Sequence, residues 1–271
     1  MRHEFIGLGG VIERNVYLVR RYIWWELAFF LWSLANTLTI VFIAKGVERA
    51  GGGSIDINRL TTTLLIGAVI WSYLGVVFEI LIETVAWERW EGTIEYTFMA
   101  PLARPVHLIG MGLFAVVYGV VRSSLLFLAI ALFFDIGFPG ANFGAAAVVL
   151  AVASVSFIGI GMMTAVLPLI SPEKGMQMGY IGQGMLLVIS GVYYDVEVLP
   201  RWMEALSVIS PATYALRGMR EAILDGGSMS AMWDDIWPLI VIGIVSIPLG
   251  LEVFRRGELY AKRHGKLKRS G

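Results

Sequence analysis

The sequence predicts an all-α, polytopic membrane protein with six transmembrane helices. Three observations carry that prediction. Hydrophobic residues make up 57% of the 271 and charged residues only 15%. Mean hydropathy is +0.74, well above the range of a soluble domain of this length. The charges are also segregated into short patches between apolar runs, and those runs are continuous rather than alternating, as helices and not barrel strands require.

Taken in order, the first 21 residues are too polar to span. Ile12, Val16, Val19 and Ile23 recur at helical spacing while Glu13, Arg14, Arg20 and Arg21 lie elsewhere around the helix. That pattern predicts an interfacial helix over residues 1–21. Six stretches then reach the roughly 20 residues needed to cross a hydrocarbon core of about 30 Å. They lie at about Tyr22–Ala44, Leu60–Ile82, Val106–Phe134, Phe143–Ile170, Met176–Tyr194 and Ile236–Phe254. No small-residue cleavage site follows the first run, so it reads as a retained anchor rather than a signal peptide.

Lysine and arginine set the orientation. With the N-terminal segment inside, the inner segments hold fourteen of them and the outer segments six. Arg122, inside the third span, is the remaining one of the 21. Both termini are therefore expected in the cytoplasm. The segment 255–271 carries seven basic residues and one acid, Glu258. This basic tail fits the orientation bias and an attraction to anionic lipid.

The window Trp87–Arg104, "WERWEGTIEYTFMAPLAR", interrupts the apolar pattern between the second and third spans. Wound as one helix over 87–98, it places Trp87, Trp90, Ile94 and Phe98 on an apolar stripe. Glu88, Glu91 and Glu95 form a neighbouring acidic stripe. Pro101 and Pro105 then end the helix and restart the chain. A soluble partner with an apolar cleft and a basic rim would satisfy both stripes. Membrane-interface anchoring by the tryptophans is the competing reading.

These residues resemble the cytoplasmic loop of the ABC-2 family of ABC transporter permeases. That family carries a run of the form E-x-x-G-T-[LI]-E before a proline turn. Here the matching residues are Glu88, Glu91, Gly92, Thr93, Ile94, Glu95 and Pro101. The family's usual Leu-Leu pair before a Ser-Pro is replaced by Phe98, Met99, Ala100 and Pro101. The resemblance implies a coupling helix, with Trp87, Trp90 and Phe98 beside the motif, that docks into a separate ATPase subunit. It further implies an outward-facing re-entrant hairpin over 195–225. There Trp202, Leu206 and Ile209 form one apolar edge, Ala215, Met219 and Ile223 a second, and Ser210-Pro211 the break. The whole chain, 1–271, then forms a single transmembrane domain. It would be a multi-pass subunit of the cytoplasmic membrane, pairing with a second permease chain as a homodimer and contacting membrane lipids. Its expected role is an exporter for an amphiphilic, drug-like, lipid or glycan substrate.

Other chemistry is thinly represented. No P-loop is present: Gly265-Lys266 lacks the upstream glycine and the following hydroxyl. No cofactor site is therefore expected on this chain, and ATP would sit on the partner. With no cysteine, disulfides and thiolate sites are excluded. His3, His107 and His264 have no metal-ligand spacing, and no nucleophile arrangement emerges. A net charge of zero gives no field for nucleic acid. Gly175, Gly179, Gly182 and Gly184 read as close helix packing. Arg122 sits where a charge is expensive. With Glu26, Glu79, Glu83 and Glu252 all placed towards cytoplasmic span ends, Arg122 reads as snorkelling, lining a water-filled cavity, or meeting an anionic headgroup on the transport pathway. Glu26 is expected to pair with nearby arginines. An ATP-independent channel or secondary transporter is the alternative function, for which no internal repeat is found.

Overall fold

The computed structural model describes residues 2–49, 56–171 and 173–267, with side chains from residue 4 to residue 47 in the first segment. The glycine run near residue 52 and the last four residues of the basic tail lie outside the described residues. All secondary structure among the described residues is helical. In chain order the helices are α1 (Arg2–Arg21), α2 (Ile23–Arg49), α3 (Ile57–Glu91), α4 (Ile94–Met99), α5 (Arg104–Phe134) and α6 (Phe143–Thr164). They continue as α7 (Val166–Ile170), α8 (Gly175–Ile189), α9 (Arg201–Ser207), α10 (Pro211–Leu224) and α11 (Trp233–Arg263). A 3-10 turn at Val196–Val198 precedes α9.

Among the described residues, five helices are long and apolar enough to cross a membrane: Ile23–Val47, Ile57–Glu91, Arg104–Phe134, Phe143–Ile170 and Trp233–Arg263. The fifth predicted stretch behaves differently. Helix α8 has 15 residues, about 22 Å at 1.5 Å per residue, which is short of the hydrocarbon thickness. It stops because Gly191, at φ 68, turns the chain where the spacing predicted continuation to Tyr194. The turn lies against α3: a Cβ on Gly67 would stand 2.1 Å from the Val192 carbonyl oxygen. Arg220 of α10 fixes it, donating to the carbonyls of Gly191 (3.1 Å) and Val192 (2.8 Å).

Helix α3 is the central rod. At 35 residues it runs about 52 Å, nine residues past the predicted span end at Ile82. Asp56 caps its start by accepting from the Arg59 backbone amide at 3.1 Å. Tyr73, Val77, Leu81 and Ile82 are fully buried in the main core, and Leu65 in a second cluster with Val41 of α2 and Leu126 of α5. The Tyr73 hydroxyl meets Ser154 of α6, so the polar tip of a buried ring is satisfied. Helix α11 lies along α6, where glycines permit close approach: a Cβ on Gly159 would stand 2.6 Å from the Ser246 backbone carbon.

Helix α1 packs on α5 with a face the sequence did not single out. Gly7 lies against Leu102, and Leu8 and Val11 against Gly110. The predicted stripe points elsewhere, leaving Val16 and Ile23 exposed. Residues 255–263 are not a separate tail but the last turns of α11. Arg255 and Arg256 pair with Glu252 there. Of the four glycines read as packing, Gly175 and Gly179 are buried against α7 and α3, while Gly182 and Gly184 face open space.

At the far end of the rod from Glu91, Arg59 pairs with Asp225 at 2.8 Å. Asn142 caps α6 through the Ala145 amide (3.0 Å) and donates to the Gly227 carbonyl (3.1 Å). These bonds hold the α9–α10 segment at that end. Pro211 starts α10 at its first turn, where its missing N–H costs nothing. Ala215 and Ile223 of the second predicted edge are buried, whereas Trp202, Leu206 and Ile209 of the first are exposed.

Candidate coupling surface and intramembrane cavity

The predicted single helix over 87–98 is two helices. Gly92, at φ 74, ends α3 in the left-handed region, with its amide bonded to Arg89 and that of Thr93 to Glu88. Glycine meets this conformation without a Cβ penalty. Trp87, Glu88, Trp90 and Glu91 therefore belong to the end of α3, Gly92 and Thr93 to the break, and Ile94, Glu95 and Phe98 to α4. Pro101 follows α4 in the exposed link to α5. The stripes predicted across the window do not survive the break, since they need one continuous helical phase.

What emerges is a sorted junction. Glu88 faces inward, 3% exposed, and accepts a hydrogen bond from the Arg14 guanidinium of α1. Ile94 is buried at 1%. Arg89 is buried and donates to the Leu169 carbonyl at 2.6 Å, satisfying the end of α7. The outward face holds Trp87, Trp90, Glu91, Glu95, Tyr96, Met99 and Pro101. Trp87 and Trp90 meet edge to face, ring centroids 5.4 Å apart.

Helix α4 is clamped from behind. Arg104 donates to the carbonyls of Thr97 (3.0 Å) and Phe98 (2.5 Å), and its guanidinium lies 4.4 Å from the Phe98 ring centroid. The same group pairs with Glu258 of α11 at 3.2 Å, and Glu258 also holds Lys262 at 2.6 Å. A six-residue helix has little stability of its own. Here Arg104 of α5 and Lys262 of α11, whose ammonium lies 5.5 Å from the Phe98 ring centroid, position it. Sequence reading missed Arg14, Arg104, Glu258 and Lys262, because their partners lie from four to 154 residues away. Tyr96 and Met99 could have been found as apolar residues facing opposite to Ile94.

The second feature is a cavity of about 280 Å³ whose walls include Ser33 and Asn36 of α2, Trp71 and Glu79 of α3, Arg122 of α5 and Gln183 of α8. Arg122 is 9% exposed and donates to Ser33 Oγ at 3.1 Å. Arg122 lines this cavity. The structure also corrects the placement of the acids: because α3 extends to Glu91, Glu79 shares the cavity with Arg122. Glu26 takes its bond from the Tyr118 hydroxyl rather than from an arginine. Glu83 accepts from Tyr180 at 2.8 Å.

Five helices long and apolar enough to cross a membrane, a buried central rod and a braced junction at one end define a polytopic helical membrane protein. The chain belongs to the ABC-2 type transporter family, which it matches over residues 18–224. Over 175 residues it is 25% identical to the "Probable multidrug ABC transporter permease YbhR" of Escherichia coli K12, covering 64% of this chain and 46% of that protein. Over 119 residues it is 24% identical to the "Linearmycin resistance permease protein LnrN" of Bacillus subtilis 168, covering 43% of this chain and 31% of that protein. The matched stretches span less than half the length of these relatives. Members of the family are membrane components of ABC transporters.

Proposed function

We propose that this chain is the permease subunit of an ATP-driven exporter, with the α3–α4 junction as the surface that receives a separate ATPase. One observation carries the reading. Two tryptophans, Tyr96, Met99 and two glutamates stand exposed on an element that neighbouring helices hold rigidly from behind. Exposed aromatics beside carboxylates are costly in water unless a partner covers them, and aromatic residues dominate such contacts. The junction faces the cytoplasm in the orientation set by the lysine and arginine bias. Closure of an ATPase dimer would push α4, and the clamp would pass that displacement to α5 and α11.

The sixth crossing is made in two pieces. Helix α8 rises to Ser190, whose hydroxyl lies 2.7 Å from that of Ser210 at the start of α10. From there α10 reaches Asp225 at the outer end of α3. The α9–α10 segment re-enters the outer leaflet, with Trp202 and Ile209 towards lipid. Two copies pair around a shared path that includes Arg122, and the substrate is an amphiphile, drug-like, lipid or glycan.

The test is co-purification of the ATPase with the Glu91→Lys/Glu95→Lys double variant. Loss of the ATPase while the chain stays inserted and monodisperse is the expected result. An undiminished complex rejects the docking surface, and transport sustained by an ion gradient after ATP depletion rejects the ATP-driven reading.

A further inference from the structure

We infer that the cavity between α2, α3 and α5 binds a zwitterionic headgroup, its anion at Arg122 and its cation at Glu79. The inference deepens the transport reading by naming ligand chemistry for the path. Arginine keeps its charge in any protein setting, and holding that charge inside a membrane is costly without an anion. Yet its hydrogen bonds go to hydroxyls, Ser33 Oγ at 3.1 Å and Tyr118, and no carboxylate pairs with it directly among the described residues. Among the described residues, its Nε has no hydrogen-bond partner although the side chain is more than nine-tenths buried. Tyr118, four residues earlier on α5, stands between Arg122 and Glu26 and donates its hydroxyl to the carboxylate.

Glu79 is the acid that lines the same cavity. No ion pair within 4 Å joins it to Arg122 among the described residues, although the two lie close enough to interact electrostatically. A ligand carrying both charges a few bonds apart answers both side chains, where a single charge leaves one unanswered. The neutral lining fits the same chemistry. Asn36 and Gln183 offer amide donors and acceptors, and the Trp71 ring suits an ammonium group. The volume, about 280 Å³, lies just under the 300–1,000 Å³ of sites that enclose whole drug-sized ligands. It accommodates a headgroup whose acyl chains remain outside, beside the exposed Trp32 on the rim.

The test uses the full chain in maltoside micelles, without an ATPase, so that failed docking at Glu91 and Glu95 leaves it unaffected. Radiolabelled dodecylphosphocholine is the probe, and unlabelled dodecyl phosphate and dodecyltrimethylammonium are the single-charge competitors. Saturable binding is expected, with the zwitterion competing at a concentration at least about tenfold below either single-charge analogue, one broken charge-assisted contact being worth about that much. Arg122→Gln and Glu79→Gln should each weaken binding to a similar extent. Arg122→Lys should restore most of it. Ser72→Phe, which fills the cavity and leaves both charges in place, should abolish it and serves if a charge variant fails to fold. Absent saturable binding, equal competition by all three amphiphiles, or wild-type binding by folded Arg122→Gln or Ser72→Phe overturns the assignment. In phosphatidylglycerol nanodiscs, displacement of the probe by added phosphatidylethanolamine identifies a bilayer lipid as the occupant. Retained probe identifies an amphiphile that arrives free.

Discussion

Glu88 and Glu91 stand one helical turn apart and carry different work. Glu88 is buried against Arg14, and Arg14 is itself partly exposed, so water can take over the guanidinium if the carboxylate is lost. Glu88→Gln should therefore cost the price of one charge-assisted hydrogen bond, about 1.5–3 kcal/mol, rather than the larger penalty of a stranded buried charge. Glu91→Gln, on the open face, should stay within about 0.5 kcal/mol of wild type. Unfolding in detergent reads both. Equal destabilisation by the two variants would contradict the division between brace and docking face. The contrast was invisible in sequence, where both glutamates fell on one acidic stripe. What separates them is helix α1, which returns to this junction from 74 positions away.

At the scale of elements, the break at Gly92 is the feature on which the junction turns. An alanine there would hold φ near 74° against its Cβ, costing about 1–2 kcal/mol, or would let α3 run into α4 and rotate Tyr96 and Met99 off the outward face. Gly92→Ala should lower stability by that amount and reduce the ATPase recovered with the chain. Gly92→Asn, a side chain that tolerates the left-handed region, should fall between alanine and wild type. Alanine behaving as wild type in both measurements would show that the break does not position α4. The helices themselves were legible because long apolar runs have few alternatives in a chain this hydrophobic, and Pro105 and Pro211 marked two starts correctly. The break was not, because Trp90 and Ile94 keep helical spacing across the glycine. The shortness of α8 was also hidden: Val192, Tyr193 and Tyr194 are apolar enough to extend the run, and only the docking of the Gly191 turn on α3 ends it. A local glycine cap decided the first case and tertiary contact the second. The cavity was half legible, since Arg122 stood out by depth, while Glu79 was misplaced by ending α3 nine residues early.

Across the whole molecule, α3 joins the features described above: Arg59 bonds Asp225 after α10, Glu79 lines the cavity, and Arg89 with Glu88 anchors the junction. A rod can pass displacement from one end to the other only if its surroundings hold together as a body. The α6–α11 seam is the main fastening on the far side of α6. It is closed by Ser156 Oγ donating to the Leu239 carbonyl at 2.8 Å and by three glycines. A Cβ on Gly159 would stand 2.6 Å from the Ser246 carbon, one on Gly250 would stand 2.5 Å from the Gly159 carbonyl oxygen, and one on Gly257 would overlap the Val166 side chain. Two of these obstacles are backbone, which cannot turn aside as a side chain would. In lipid, where apolar burial gives little drive between helices, such close approach supplies much of the packing energy. Gly159→Leu should therefore separate α11 from α6 and release the Glu258–Arg104 clamp with it. The expected signature is a large fall in thermal midpoint together with loss of ATPase binding, although Gly159 is remote from α4. Gly46→Leu on α2, where an added Cβ meets nothing, should leave both unchanged. If Gly159→Leu melts and binds as Gly46→Leu does, the seam is not what fastens α11 to the body, and the clamp on α4 must be held by α5 alone.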